Sequence, residues 1–344
     1  MTANWIAQIL GGQPPAEGQR AVLGGRTLMA RGGVLRDTAV FDPDQEQTKD
    51  TFGFKWAKRD TYASDAMRTA SREWLTSRYG DLVARLGGTG SQPITVLDAG
   101  CGAGYSGGIA FEAQLRRLHY VGADISSAID IARETISPNA GASLFVQGDL
   151  LALPFRPESF DIVFSEGVLH HTPSTEQGFA SLAPLVRPGG LLAAYVYAKK
   201  SPAREFIDDH VRAQVSGMSP EAAWMKLEPL TRLGIALGKL DAEIEIDEDI
   251  EVLGIPKGRI NVQRLFYWHF CKAYYRPELA LDEMNHINFD WYMPRYCHRQ
   301  TPGEVSGWCR ALGLEIEQLK AEDAGITVIC RRPGSANMMT YVQS

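Results

Sequence analysis

Apolar residues between positions 96 and 197 come in short runs, and each run stops at an acid, a glycine or a polar turn. Val96-Leu97 ends at Asp98, His119-Tyr120-Val121-Gly122-Ala123 ends at Asp124, and Leu144-Phe145-Val146-Gln147 ends at Gly148-Asp149. A fourth run, Phe160 to Ser165, passes through Glu166-Gly167 into Val168-Leu169-His170-His171. The fifth, Leu191 to Tyr197, follows a predicted helix end at Leu185-Val186-Arg187-Pro188-Gly189-Gly190. Short apolar runs bounded by turn formers predict buried strands. Near the carboxyl end, Thr301-Pro302-Gly303-Glu304 is a capping box with proline in the first turn. Val305, Trp308, Cys309 and Leu312 follow at helical spacing, Gly313 closes the helix, and Leu314–Leu319 and Ile326–Cys330 read as two more strands. Toward the amino end, Met67, Ala70 and Trp74 share one helical face.

The loop after the first strand carries chemistry. Asp98-Ala99-Gly100-Cys101-Gly102-Ala103-Gly104 places glycines at alternate positions, which lets backbone approach a ligand with no Cβ in the way. A strand feeding such a loop, with a helix behind it, offers N–H groups to a carboxylate or phosphate. Two registers fit. Gly102, Gly104 and Gly107 satisfy G-x-G-x-x-G, with Asp124 downstream as the acid of a nicotinamide-dinucleotide site. Gly100, Gly102 and Gly104 behind Asp98 satisfy D-x-G-x-G-x-G. The second register is preferred, because a strand-end carboxylate suits an ammonium and repels a pyrophosphate. Asp124 can then accept two ribose hydroxyls, and Asp149 an adenine amino group beside the Leu150 N–H.

The stretch from Val96 to Tyr197 resembles the type 11 group of class I S-adenosylmethionine-dependent methyltransferases. The matching residues are the loop from Asp98 to Gly104, Asp124, Gly148-Asp149, Leu169-His170-His171 and Arg187-Pro188-Gly189-Gly190. The resemblance implies an α/β fold, a Rossmann-like seven-stranded sheet with its last strand antiparallel and helices on both faces. It also implies that Asp98 and the loop (Gly100, Cys101, Gly102, Gly104) hold the methionine part of the cofactor and Asp124 with Ile125 the ribose. Gly148, Asp149 and Leu150 would hold the adenine, with Ser165 and Glu166 as wall residues. The acceptor does not follow, because one fold serves many acceptors.

On that frame the chain divides into an arm (1–50), a methyltransferase core (51–198), an inserted, mainly α-helical cap (199–300), the end of the core (301–333) and a loose tail (334–344). Ser201-Pro202 and Ser219-Pro220 start helices in the insertion. Asp241 to Glu251 carries seven carboxylates in eleven residues, a solvated stretch. Aromatic residues crowd 266–275 and 288–299. Phe52-Gly53-Phe54-Lys55-Trp56 is similar to segments that fold over the cofactor mouth in related methyltransferases. Residues 1–50 lack cysteine, so a zinc module of the kind that precedes the core in some relatives would have lost its metal, with Gly32 to Arg36 as its remnant.

Composition narrows the class. At 344 residues and 44% hydrophobic content the chain can bury a large core. A formal net charge of −6 gives no electrostatic footprint for nucleic acid. No apolar run is long enough to span a bilayer and no secretory signal is evident, so a cytoplasmic monomer or homodimer without membrane insertion is expected. The five cysteines are scattered without metal-ligand spacing, and no metal is expected.

The reading is therefore methyl transfer to a small-molecule acceptor (O, N or C) by in-line displacement, in a pocket closed by the cap. His170, His171 and His298 are the candidate proton acceptors, with Asp290 behind them, and Phe52, Trp56, Trp291, Tyr292 and Tyr296 the candidate substrate contacts. A protein that binds the cofactor without turnover and a nicotinamide-dependent oxidoreductase are the alternatives.

Overall fold

A computed structural model describes residues 3–87 and 93–334. All of the expected tail but Gly334 lies outside the described residues. The amino-terminal arm contributes α1 (Ala3–Leu10) and strands β1 (Arg20–Leu23), β2 (Arg26–Arg31) and β3 (Val34–Asp37). Helices α2 (Pro43–Ala57), α3 (Asp65–Tyr79) and α4 (Leu82–Arg85) lead into the alternating core. That core runs β4 (Ile94–Ala99), α5 (Tyr105–Ala110), β5 (Leu118–Asp124), α6 (Ala128–Ile136), β6 (Ala142–Gln147), β7 (Phe160–Glu166), α7 (Thr175–Leu182) and β8 (Val186–Tyr197). Then come α8 (Pro202–Val215), α9 (Pro220–Lys239), a hairpin of β9 (Glu243–Ile246) and β10 (Gly258–Asn261), α10 (Val262–His269) and α11 (Leu281–Tyr292). The chain returns to the core as α12 (Pro302–Ala311), β11 (Glu315–Ala321) and β12 (Gly325–Arg331).

One sheet orders its strands β1-β2-β3-β6-β5-β4-β7-β8-β12-β11. Strands β6, β5, β4, β7 and β8 are parallel, and β12 is antiparallel to both β8 and β11. These seven central strands are the expected sheet. The direction of succession reverses at β4, between β5 and β7. This switch point opens a crevice at the carboxyl ends of the strands, where open α/β sheets bind ligands.

The sheet has ten strands, not seven, because the arm adds three. Leu35 pairs with Val146, laying β3 parallel to β6 and covering what would be an open edge. Gly24-Gly25 and Gly32-Gly33 all have positive φ and turn the two tight hairpins of this meander. Gly32 to Arg36 is thus a hairpin turn running into a paired strand. Two further boundaries shift. Phe52 to Trp56 lies inside α2, started by Asp42, whose side chain accepts from the N–H groups of Asp44 and Gln45. Val186 to Gly190 begins β8 and is not a helix end; its pairing with β7 breaks register between Phe160 and Ile162.

Helices α8, α9 and α11 pack together beside the crevice. Their apolar contacts join the sheet through Tyr195, Tyr197, Trp224, Phe289 and Trp291. A buried ion pair, Arg204 with Asp208 at 2.8 Å, lies inside this packing. Asp208 also accepts from the Trp291 indole at 2.8 Å and the Tyr292 hydroxyl at 2.6 Å, so the buried charge is fully partnered. The acidic stretch from Asp241 to Glu251 is mostly exposed. The five cysteines are free and buried.

Candidate active site

The glycine loop is tied to the end of β5. Gly100 and Cys101 donate to the Ala123 carbonyl at 2.7 and 3.0 Å, and Gly102 donates to Asp124 Oδ2 at 2.8 Å. Asp124 Oδ1 accepts from the Ser126 N–H and hydroxyl at 2.8 and 2.6 Å. Burial raises its carboxyl above the usual range, against the pull of these donors and Lys55. Gly102 has no room for a side chain: a Cβ there would lie 2.4 Å from the Trp56 indole nitrogen, and φ is +52°. At the next strand end, Asp149 accepts from the Leu151 N–H and from the Gln45 side chain, both at 2.9 Å.

Between the loop and α2 lies a cavity of about 200 Å³. Its floor is Gly100, Asp124, Ile125, Asp149, Leu150 and Glu166, and its far wall runs from Gly167 to Val168 and from His171 to Pro173. Helix α2 roofs it with Gln45, Thr48, Phe52, Lys55 and Trp56, and Asp290 of α11 closes one side. A second chamber of about 410 Å³ shares Ser106, Glu166, Gly167 and Asp290 with the first. Its walls are aromatic, with Trp74, Tyr195, Tyr197, Tyr267, Trp268, Tyr274 and Trp291.

Two carboxylates stand at the junction. Glu166 accepts from the Trp74 indole at 2.7 Å and from the Tyr79 hydroxyl, and burial raises its carboxyl. Asp290 accepts from Lys55 Nζ at 2.5 Å and from the Tyr197 hydroxyl at 2.9 Å. Burial alone would raise the Asp290 carboxyl, but Lys55, His171 and Lys272 together hold it far below the usual range. It is a fixed anion, poorly suited to taking a proton.

His171 is different. Its Nδ1 lies 2.7 Å from the Tyr296 carbonyl, which can only accept, so the proton sits on Nδ1 and Nε2 carries the lone pair. Nε2 has no partner in the structure, and the residue lines the first cavity. Burial lowers its pKa to about 4, so it is neutral near pH 7.

The sequence-derived site thus divides. Gly100, Asp124, Ile125, Asp149, Leu150, Glu166, Phe52, Trp56 and His171 meet around the first cavity, and Trp291 lines the second. Asp98 does not face either. Its carboxyl takes the Tyr120 hydroxyl and abuts Gly107, where a Cβ would come within 2.1 Å of it. Burial pushes it up to about 7, and it packs against α5 at Gly107, away from both cavities. Gly107 is buried against it, so the third glycine of the dinucleotide register does not reach the cavity.

Other expected residues stand behind the cavities. Cys101 packs on β5 at Gly122, Gly102 lies under Trp56, and Gly104 faces the groove between α5 and α6. Gly148 donates to the Asp124 carbonyl, and Ser165 donates to the Ala99 carbonyl. His170 is sealed behind Tyr197, ring centroids 3.6 Å apart, and both its ring nitrogens are unpartnered. Burial holds its pKa well below the ordinary value. His298 meets it through its backbone, donating to the His170 carbonyl. The Tyr292 hydroxyl is spent on Asp208 and the Lys272 N–H, and Tyr296 offers only its carbonyl to His171. Among the described residues no group of three or more histidine, cysteine, aspartate or glutamate side chains is arranged to hold a metal ion. Gln45, Tyr197 and Lys272 are site residues that no motif marks, and Lys55 falls within the Phe52–Trp56 segment with no role assigned to it by the sequence.

Residues 97–194 match the family Methyltransf_11, described as a methyltransferase domain. A sterol 24-C-methyltransferase of Pneumocystis carinii is 29% identical over 170 residues, 47% of this chain and 43% of that protein. A probable tRNA methyltransferase 9B of Mus musculus is 34% identical over 115 residues, 32% of this chain and 23% of that protein. The chain therefore spans less than half the length of these curated relatives. Among solved structures, the magnesium protoporphyrin IX methyltransferase of Synechocystis PCC 6803 with bound SAH is 15% identical with a TM-score of 0.45, covering 84% of this chain and 97% of that one.

Proposed function

We propose that this chain, which carries a class I S-adenosylmethionine-dependent methyltransferase domain, transfers the methyl group of that cofactor to a small molecule held in the aromatic chamber. The observation that carries the proposal is the junction of the two cavities at Ser106, Glu166, Gly167 and Asp290. One cavity has the acids and glycine loop of a nucleoside site, and the other lies against it at these four residues.

The residues present fit the cofactor. Asp124 lines the cavity; Ser126 takes both sites of its Oδ1 and Gly102 one site of Oδ2, which leaves about one lone pair on Oδ2 for a ribose hydroxyl. Asp149 and Leu150 are placed for the adenine edge, with Gln45 sharing the Asp149 carboxylate. When bound, the cofactor supplies a methyl group on a sulfonium, an electrophile that needs alignment and a dry site more than activation.

The protein's part is alignment, exclusion of water and custody of one proton. Phe52 and Trp56 line the cofactor cavity, with the Lys55 ammonium 5.5 and 4.3 Å from their ring centroids. Helices α8, α10 and α11 wall the acceptor chamber, and its aromatic lining disfavours water. His171 Nε2 takes the proton of a hydroxyl or amine acceptor: it is the ring nitrogen without a proton, it has no partner, and the residue lines the first cavity. Asp290 is the fixed anion that orients Lys55 and the Tyr197 hydroxyl around the junction.

The acceptor is a small molecule because the chamber is walled by side chains and the chain carries a net charge of −6. Among the described residues no helix is long and apolar enough to cross a membrane. Incubation with methyl-tritiated cofactor and a metabolite extract, beside tRNA and protein, tests this. Label in the small-molecule fraction supports the reading, and label only in RNA or protein overturns it. Cofactor binding without label in any fraction points to a non-catalytic binder.

A further inference from the structure

The acceptor chamber is positively charged in a chain whose net charge is negative. Its walls carry Lys200, Arg204, Arg264, Lys272 and Arg276 against two carboxylates, Glu166 and Asp290. Both carboxylates are engaged elsewhere, Glu166 by Trp74 and Tyr79 and Asp290 by Lys55 and Tyr197. Arg204 is neutralised by Asp208, and Arg276 by Glu73 at 3.0 Å.

Lys272 is the anomaly. It is only 7% exposed, and Asp290 is the carboxylate whose charge acts on it most, yet among the described residues its ammonium makes no ion pair and no hydrogen bond. The Lys272 Nζ sits 4.6 Å from the centroid of the Trp291 ring, and Lys200 Nζ lies 5.7 Å from the same ring. Lys200 is held by the carbonyls of Asp323 and Ala324, again without a carboxylate. Buried charges are ordinarily paired, and cation–π contact offsets only part of the cost of burial. Two ammonium groups beside one indole at the wall of a cavity are an arrangement that suits an anion.

We infer that the acceptor carries an acid group, a carboxylate or a phosphate, on a flat apolar body, and that Lys272 and Lys200 bind this group beside Trp291. The inference rests on reading the chamber as the acceptor site. The acid group is an anchor for binding, and the aromatic walls take the body. Specificity then comes from the neutral alternative, which leaves both ammonium groups unpaired.

The probes are 2-naphthoate, 2-naphthyl phosphate and the neutral 2-naphthamide, titrated by ligand-observed NMR into the full chain with and without S-adenosylhomocysteine. At least one of the acids is expected to bind tenfold or more tightly than the amide, and whichever binds better identifies carboxylate or phosphate. Lys272→Met is expected to cut that preference at least tenfold while the amide's affinity stays level, which also reports an intact chamber. Lys272→Arg is expected to keep the preference. Lys200→Met gives a second, independent reduction. Equal binding of acids and amide by the native chain overturns the inference, as does an undiminished preference in both methionine variants. Failure of S-adenosylhomocysteine to bind would strike the proposed function instead, and the acid preference of the free protein would still be read by itself.

Discussion

Trp56 and Gly102 make a contact whose energy can be worked out from the structure and measured without any ligand. A methyl group added at Gly102 would come 2.4 Å from the Trp56 indole nitrogen and 2.7 Å from the adjacent ring carbon, so the indole or the loop must move. Overpacking of this kind costs about 1–3 kcal/mol. The φ of +52° adds a left-handed backbone penalty of about 1–2 kcal/mol for alanine. Gly102→Ala is thus expected to destabilise the chain by about 2–5 kcal/mol. The two terms separate in a double-mutant cycle. In a Trp56→Ala background the clash disappears and only the backbone term remains, so Gly102→Ala should then cost about 1–2 kcal/mol. The coupling energy is expected at about 1–3 kcal/mol. Urea unfolding followed by far-ultraviolet circular dichroism, which does not depend on the tryptophan removed, gives all four corners of the cycle. Additive costs would refute the reasoning, because they would mean that the indole does not lie on the loop.

Three further outcomes follow from the charges. Asp290→Asn strands the Lys55 ammonium in a buried site and is expected to cost about 3–5 kcal/mol, most of it recovered by adding Lys55→Met; thermal melts of the two variants check this. His171 titrates at about 4 in the folded chain against about 6.5 when unfolded, so the unfolded state binds its proton first and stability falls as pH drops through this window. At pH 5 the loss from this residue is about 2 kcal/mol, and His171→Gln should flatten that part of the pH–stability curve. Lys272, lowered by burial to about 8, and Lys200, lowered likewise to about 7, face Asp290, Arg204, Asp208, Asp323 and Cys297. Loss of the ammonium charges on raising the pH should weaken 2-naphthoate binding between pH 7 and 9, with the amide unaffected.

The strands and acids of the core were legible because each is local. Asp124 and Asp149 end their own apolar runs, and the glycine loop is contiguous, so spacing along the chain was enough. The arm's strands carried a signal that could have been used. Gly24-Gly25 and Gly32-Gly33 bracket the six residues Arg26–Arg31, with Leu28, Met29 and Ala30 at their centre, the mark of two hairpins in succession. Asp98 also ends its apolar run, but for its role direction matters as well as position. Its carboxyl could face the ligand or the helix behind the strand, and the Tyr120 hydroxyl on the neighbouring strand decides for the helix. Lys55 and Asp290 meet across 235 residues of chain, and Gln45 reaches Asp149 across 104. No periodicity within either helix singles these side chains out. Lys272 lies in a stretch with no regular structure, and only the assembled chamber shows that it is buried without a partner.

The most direct test of the account is calorimetry of the purified chain with S-adenosylhomocysteine and NADH in parallel, repeated on Asp124→Ala. Micromolar binding of S-adenosylhomocysteine, none of NADH, and a loss of at least about tenfold in the variant are expected, the cost of one or more hydrogen bonds to a charged group. Binding of NADH alone, or S-adenosylhomocysteine affinity unchanged by Asp124→Ala, would contradict the account.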